Sequence, residues 1–376
     1  MAKRGHNEGS IYQRKDGRWV AALRVQNGAG RTRKVYRYTT TRIKAREALR
    51  DLERQAESGV QLGAGVPTLG VYLTRWLDTV KASVRVSTHQ GYSSILQTRV
   101  IPRLGKMKLT AVTPLHLQEL YAELLDVGLS ARSVGHTHRV LHRAFSQGMR
   151  WGLIGRNPYD GADPPRARPA EMHVLTREQA AAFLGATREH RYHALYVLAL
   201  STGMRQGELL GLSWDAVDLE AGKLFVQRAL QRQRVAGLVF VEPKTKRSRR
   251  TVLLSQRAVA ALREQRARQL VARLKAGPEW REQRLVFPNP TGGPLDPSEV
   301  TRVFQRLLAE KGMPVLRFHD LRHTAATLLL IQGVHPKVVS EMLGHSTITL
   351  TLDTYSHLVP VLHQQAAAAM DALLGS

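Results

Sequence analysis

Two stretches of this chain carry too much glycine, proline and charge to sit inside a folded element: SGVQLGAGVP at 58–67 and RNPYDGADPPRARPAE at 156–171. Glycine leaves the backbone without a preferred basin and proline removes an amide donor, so such runs read as linkers. They divide the 376 residues into segments 1–57, 68–155 and 172–376. A chain of that length exceeds one ordinary domain, and two or three are expected.

The first segment has the pattern of a small sheet followed by a helix. GSIYQRKDGRWVAALRV holds two strand-like runs around a hairpin turn at Lys15-Asp16-Gly17-Arg18, and Trp19, Ala21, Leu23 and Val25 alternate with Val20, Ala22 and Arg24. A second turn over 27–30 leads into RTRKVYRY, a third strand, and Thr41 caps a helix whose Leu49, Leu52 and Ala56 share a face. The second segment is helical in pattern throughout. Leu69, Tyr72, Leu73, Trp76, Leu77 and Val80 recur at helical spacing, another helix starts near Ser87, Thr113-Pro114 opens a third and Ser130 a longer fourth. Four helices of this size close a small all-α domain. His136, His138 and His142 lie on the last of them. Positions 136 and 138 point to different faces, so contact with solvent or phosphate is expected of these histidines rather than a metal.

A formal charge of +26 and a sequence pI of about 11.0 call for a polyanionic partner, and nucleic acid fits best. Arginine supplies most of that charge, and its planar fork pairs with phosphate and guanine edges. A GC-rich coding bias accounts for part of the ratio but not for the sign. Residues 1–54 alone hold 15 lysines and arginines against 5 acidic residues, and a sheet so charged suits a major groove. With no cysteine, disulfides, thiolate zinc sites and cysteine nucleophiles are excluded. The opening MAKRGHNEGS lacks the apolar stretch of a secretory signal, and no run of about 18 apolar residues occurs. A soluble intracellular protein, with no membrane span, is expected.

The third segment carries the chemistry. Thr176 and Gln179 form a capping box, and the apolar helix YHALYVLALSTG delivers Arg205 just beyond its end. KLFVQRAL, GLVFVEP and RRTVLL alternate as strands of a small antiparallel sheet. Arg205 and Glu208 lie three apart at a helix start, facing one pocket, with Gly203 and Gly207 placed to let backbone and guanidinium approach a ligand. His319 and Arg322 share a helical face in RFHDLRH. His319 and His323 have zinc-helix spacing, but Asp320 replaces the catalytic glutamate of that motif and Arg322 would set a cation against the metal, so phosphate contact is favoured. Gly344 ends a helix and turns His345 out of its path. Tyr355 follows ten residues later among Thr351, Asp353, Thr354 and Ser356, polar neighbours that suggest an accessible hydroxyl. In the turn PKTKRSRR, Lys244, Lys246, Arg247, Arg249 and Arg250 crowd together. Most of these face DNA in the simplest reading, while one lysine could reach a leaving group. The set supplies a nucleophile and several cationic donors without a carboxylate cluster, which suits a phosphoryl transition state with no metal ion.

In these motifs the chain resembles the tyrosine recombinases, specifically phage-type integrases, most strongly over 172–360. The family's two arginines, lysine, histidine, histidine-or-tryptophan and tyrosine fall on Arg205, Lys244, His319, Arg322, His345 and Tyr355, with Glu208 at the accessory acidic position. Residues 68–155 are similar to the helical core-binding, SAM-like domain, and residues 1–57 to the arm-type DNA-binding domain. The resemblance implies a multidomain α+β fold: a small β-sheet-plus-helix domain, an all-α domain and a mainly α catalytic domain (172–376) with a small antiparallel sheet. It also implies a 3′-phosphotyrosyl intermediate, no cofactor, neither ATP nor metal, and a homotetramer on double-stranded DNA. A directionality factor and a host DNA-bending protein would be further partners, and the tail after Tyr355 would dock on a neighbouring protomer. Arg18, Arg31, Arg33, Lys34, Arg247 and Arg249 are the residues expected to contact DNA. A non-catalytic DNA-binding regulator, a type IB topoisomerase and a chromosome-dimer resolvase are the competing readings.

Overall fold

The structure is a computed structural model, and it describes residues 9–26, 32–57, 66–168, 172–242, 249–345 and 347–355, with isolated positions between 367 and 375. Lys244, Lys246, Arg247, Arg31 and most of the tail expected to dock on a neighbour lie outside the described residues. The chain divides into two compact units, 1–169 and 170–376.

In the first unit three antiparallel strands, β1 (Ser10–Gln13), β2 (Trp19–Gln26) and β3 (Thr32–Thr39), precede helix α1 (Arg42–Glu57). Thr41 Oγ1 accepts the Lys44 amide at 3.3 Å, capping α1 as its sequence predicts. Leu23 pairs with Val35 across β2 and β3, and both pack on Leu52 of α1, with Val25, Leu49 and Ala56 around them. The opposite face differs from simple alternation. Val20 and Ala22 are buried there as well, because β2 is the central strand and small side chains on it lie between Tyr12 and Tyr38, and between Ser10 and Tyr36. Arg24 pairs with Lys34 on this open face, whereas Arg33, opposite Val25, shares the parity of the helix-covered face.

The helical part builds a separate core from α2 (Leu69–Val80), α3 (Val86–Ile95), α4 (Ile101–Leu104), α5 (Pro114–Asp126) and α6 (Ala131–Arg150), with a π turn at Leu96–Val100 joining α3 to α4. Side chains of Thr68, Thr113 and Ser130 accept amide hydrogens at the starts of α2, α5 and α6. Tyr72, Trp76, Phe145 and Tyr159 fill the centre. Tyr159 and Ala162 belong to the proline-rich stretch that begins at 156, so its first residues pack into this core and the unit ends only at Pro169. The histidines of α6 are not simply solvated: His138 Nδ1 is 2.7 Å from the Tyr121 hydroxyl, and His142 Nε2 is 3.0 Å from Asp160. Among the described residues no group of potential metal ligands is assembled, and no helix is long and apolar enough to cross a membrane.

The second unit is mainly helical: α7 (Arg177–Ala186), α8 (His193–Thr202), α9 (Gln206–Leu210), α10 (Gln256–Ala276), α11 (Pro297–Glu310), α12 (Asp320–Ile331), α13 (Pro336–Leu343) and α14 (Ile348–Thr354). Helix α8 is apolar nearly all round because it runs through the core, beside Phe183, Phe304 and Phe318. The strands form two small sheets rather than one. β4 (Val217–Asp218), β5 (Lys223–Val226) and β8 (Arg250–Leu253) pair in the order β4-β5-β8, while β6 (Ala229–Gln233) and β7 (Gly237–Val241) make a separate hairpin. KLFVQRAL therefore breaks at Gln227-Arg228. Arg228 Nε donates to the Gly211 carbonyl at 2.8 Å and its guanidinium lies over Phe240, which sets β6 against the end of α9.

Candidate active site

Four helix ends converge on one region of the second unit. Gly203 closes α8 in the left-handed conformation, φ +60°, and the chain then turns through Met204 to Arg205, the N-cap of α9. Arg205 and Glu208 meet as expected: the carboxylate accepts the Arg205 amide at 3.0 Å and its Nη1 at 2.9 Å. The flanking glycines serve packing, not a ligand's approach. A β-carbon on Gly203 would lie 2.4 Å from Leu343 Cδ2, and one on Gly207 would lie 2.7 Å from the Leu230 carbonyl of β6. Both sites are taken by protein: at Gly207 the neighbour is backbone and cannot give, and at Gly203 the left-handed φ of +60° strains any side chain as well.

Helix α12 begins with His319 as its N-cap and presents Arg322 one turn later. Arg322 is only 3% exposed and donates from Nη1 to the Gly203 carbonyl at 2.7 Å, so it locks the end of α8 to α12. Its Nη2 is buried with no hydrogen-bond partner among the described residues. A buried, half-satisfied guanidinium is costly unless an anion completes it. Burial, followed by the neighbouring charge of Arg205, lowers the Arg322 pKa to about 9, still charged at neutral pH. His319 is lowered to about 4 by burial and then by His323, Arg322 and Arg205, and is therefore neutral there.

Helix α13 ends at Gly344, φ +68°, and the left-handed turn projects His345 as its sequence predicts. His345 Nδ1 sits 2.7 Å from the Thr351 hydroxyl of α14, and burial with Arg322 and Arg205 nearby lowers its pKa to about 4. Arg205 Nη2 reaches the Gly344 carbonyl at 3.5 Å. Tyr355 follows α14. Its ring is 4% exposed and packs with Ala326, Leu330, Val339 and Leu343, against the expectation of an accessible hydroxyl. The ring turns inward toward α12 and α13, and polar Asp353 and Thr354 do not govern its side. Burial raises the phenol to about 12, with Arg322 pulling the other way. The hydroxyl lies 3.1 Å from Nδ1 of His323, not of His319; the two imidazoles stand edge to face with centroids 5.1 Å apart.

Sequence reasoning gives Arg250 only a place in a basic turn expected to face DNA. Its side chain is 7% exposed and donates from Nη2 to Glu208 at 2.9 Å, so for this residue a solvated hairpin is the wrong picture. The signal was parity: Arg250 shares a strand face with Val252, which is 2% exposed, and that face is inward. Burial alone would push Glu208 up, but hydrogen bonds and charge from Arg250, then Arg205, outweigh it and hold the carboxyl below its ordinary value. Arg249, by contrast, is exposed and pairs with Glu242 at 2.7 Å, a screened surface contact.

The pattern described as the phage integrase family matches residues 173–360, and that of the phage integrase N-terminal SAM-like domain matches 68–125. The chain belongs to the phage integrase family. Within it, the chain is 31% identical to a tyrosine recombinase XerC-like protein of Caldanaerobacter subterraneus subsp. tengcongensis, over 84% of this chain and 87% of the relative. It is 30% identical to an integrase of Streptomyces ambofaciens, over 99% and 98%. The fold is that of a Tn1549 transposon integrase bound to transposon right end DNA, with TM-score 0.70 and 23% identity over 81% of this chain and 99% of that one. Lambda integrase, solved as a tetramer on a Holliday junction, matches at TM-score 0.57 and 18% identity over 90% and 96%. As an integrase-family member the chain is a tyrosine-type site-specific recombinase, an enzyme that cleaves and rejoins DNA strands.

Proposed function

We propose that Tyr355 is the nucleophile and that Arg205, Arg322 and His345 hold the non-bridging oxygens of one scissile phosphodiester. The phenol oxygen bonds to phosphorus as the P–O5′ bond breaks, leaving a 3′-phosphotyrosyl link that a second 5′-hydroxyl later attacks. The phenol's proton leaves through His323, which touches the hydroxyl, and His319 beside it; Lys244 returns a proton to the departing O5′. Charge-assisted bonds from two guanidiniums tighten as phosphorus becomes five-coordinate, which places the stabilisation in the transition state. Glu208 serves as the accessory acid group that orients Arg205.

The observation that carries this reading is Arg322: a buried cation with one donor left over, beside Arg205 and His345, is a site waiting for a phosphate oxygen. Around it we place double-stranded DNA as substrate, with the second and third segments on core sites and the first on arm sites. The enzyme works as a homotetramer that integrates or excises a mobile element such as a prophage, with a directionality factor and a host DNA-bending protein as further partners. It acts in the cytoplasm, on nucleoid DNA. Arg18, Lys34 and Arg24 of the first segment supply phosphate contacts, as do Arg31, Arg247 and Arg249, whereas Arg33 shares the parity of the helix-covered face and is left out of that set.

Nicked suicide duplexes tiled across the DNA flanking the coding sequence test the core of this. Wild-type protein becomes covalently attached to one strand and Tyr355→Phe binds the same duplex without attaching. Cutting with no protein–DNA adduct would overturn the reading.

A further inference from the structure

Arg250 opens β8 and has no part in the chemistry above, yet it is tied to both halves of the phosphate grip. Nη2 and Nη1 donate to the two oxygens of Glu208 at 2.9 and 3.4 Å, and Nε donates to the Met342 carbonyl at 2.7 Å. That carbonyl belongs to the last turn of α13, two residues before Gly344. A β-carbon on Gly344 would lie 2.9 Å from Arg250 Nη1, so this turn and the Arg250 guanidinium are packed against one another. Arg205 runs in parallel, from Glu208 to the Gly344 carbonyl.

We propose that Arg250 is a positioning residue: it fixes Glu208, and through Glu208 the Arg205 guanidinium, against the turn that presents His345. The proposal rests on reading Arg205 as a phosphate ligand.

The physical case has three parts. Arg205 is 41% exposed on its side chain, so a long flexible cation must be held by something stiffer than itself. Glu208 is 5% exposed and could do so only if its own carboxylate is immobilised, which a second guanidinium achieves. Two arginines this close would repel, and the shared carboxylate offsets that charge while keeping both in place. Only a forked cation serves here: a lysine ammonium cannot address both carboxylate oxygens and a carbonyl lying in another direction.

The test is a double-mutant cycle read by single-turnover attachment to the suicide duplex, with full-length protein. Arg250→Gln should slow attachment by about 10- to 100-fold, the range expected of a misplaced catalytic group, while duplex affinity changes little; the thermal midpoint falls because a buried ion pair loses a partner, and rates are read well below that midpoint, on folded protein. Arg205→Lys slows it as well. If Arg250 acts through Arg205, the double variant is within about threefold of Arg205→Lys alone. Losses that multiply, or that come with an equal loss of duplex affinity, mean general scaffolding and overturn the proposal, as does a wild-type rate in Arg250→Gln. Should Arg250→Gln not fold, the cycle is run with Arg250→Lys, which keeps the charge, and the same two outcomes decide. Wild-type protein that never attaches condemns the functional reading first, and this proposal with it; attachment by wild type with multiplicative losses condemns this proposal alone.

Discussion

The hydroxyl of Tyr355 rests 3.1 Å from Nδ1 of His323, on a ring buried among Ala326, Leu330, Val339 and Leu343. The proposed nucleophile is thus enclosed in an apolar cluster with a histidine as its partner. His323→Leu removes the partner while preserving bulk. Attachment should slow by about 10²-fold, the scale of one missing proton-transfer group, with duplex binding retained. An unchanged rate would show that the contact belongs only to the resting state.

Acid should weaken the second unit. His319 and His345 are both lowered to about 4 from 6.5, so the folded state binds fewer protons than the unfolded chain between those values. Their contribution is fully present above pH 6.5 and is lost as pH falls through about 4. The thermal midpoint should decline over that window, and His319→Gln with His345→Gln should flatten the decline. A midpoint equally steep in the double variant would rule these two groups out as its source.

The Tyr355 phenol, raised to about 12, is un-ionised at working pH. Attachment rates should therefore be level from about pH 7 to 9, since the reacting pair is an un-ionised phenol and a neutral His323, whose pKa burial lowers from its ordinary value. A rate rising about tenfold per pH unit across that range would mean that the phenol ionises before attack, without His323.

Gly344→Ala should destabilise by about 1–2 kcal/mol from the left-handed turn alone, with further cost from crowding Arg250, 2.9 Å from the added carbon. Because the same turn presents His345, attachment should drop more than stability does. Urea unfolding beside single-turnover attachment separates the two effects.

The open face of the first sheet should read out in salt. Arg24 pairs with Lys34 there, beside Tyr36 and Tyr38, which are 40% and 54% exposed. Arg24→Ala with Lys34→Ala should reduce the slope of log affinity against log salt by about 0.9 for each phosphate that the variant no longer neutralises. An unaltered slope would assign DNA binding to another surface.

Much of this protein is written locally. Thr41, Thr68, Thr113-Pro114, Ser130 and Thr176 mark helix starts because a cap is a bond between neighbours in the chain, and Gly344 marks a helix end because only a residue without a β-carbon turns left at low cost. The order of Arg205, Glu208, His319, Arg322, His345 and Tyr355 was legible as a set for the same reason: each sits at or near such a boundary, where a side chain can be aimed. What no local pattern could decide is which groups meet across long separations. Arg250 finds Glu208 over 42 positions and Met342 over 92, and Tyr355 turns to His323 over 32. Two basic residues adjacent in sequence, Arg249 and Arg250, end in opposite environments because a strand sends successive side chains to opposite faces, and only packing says which face is inside. Composition and spacing thus determined the chemistry available, while packing in the second unit decided which cation is enclosed and which stays exposed.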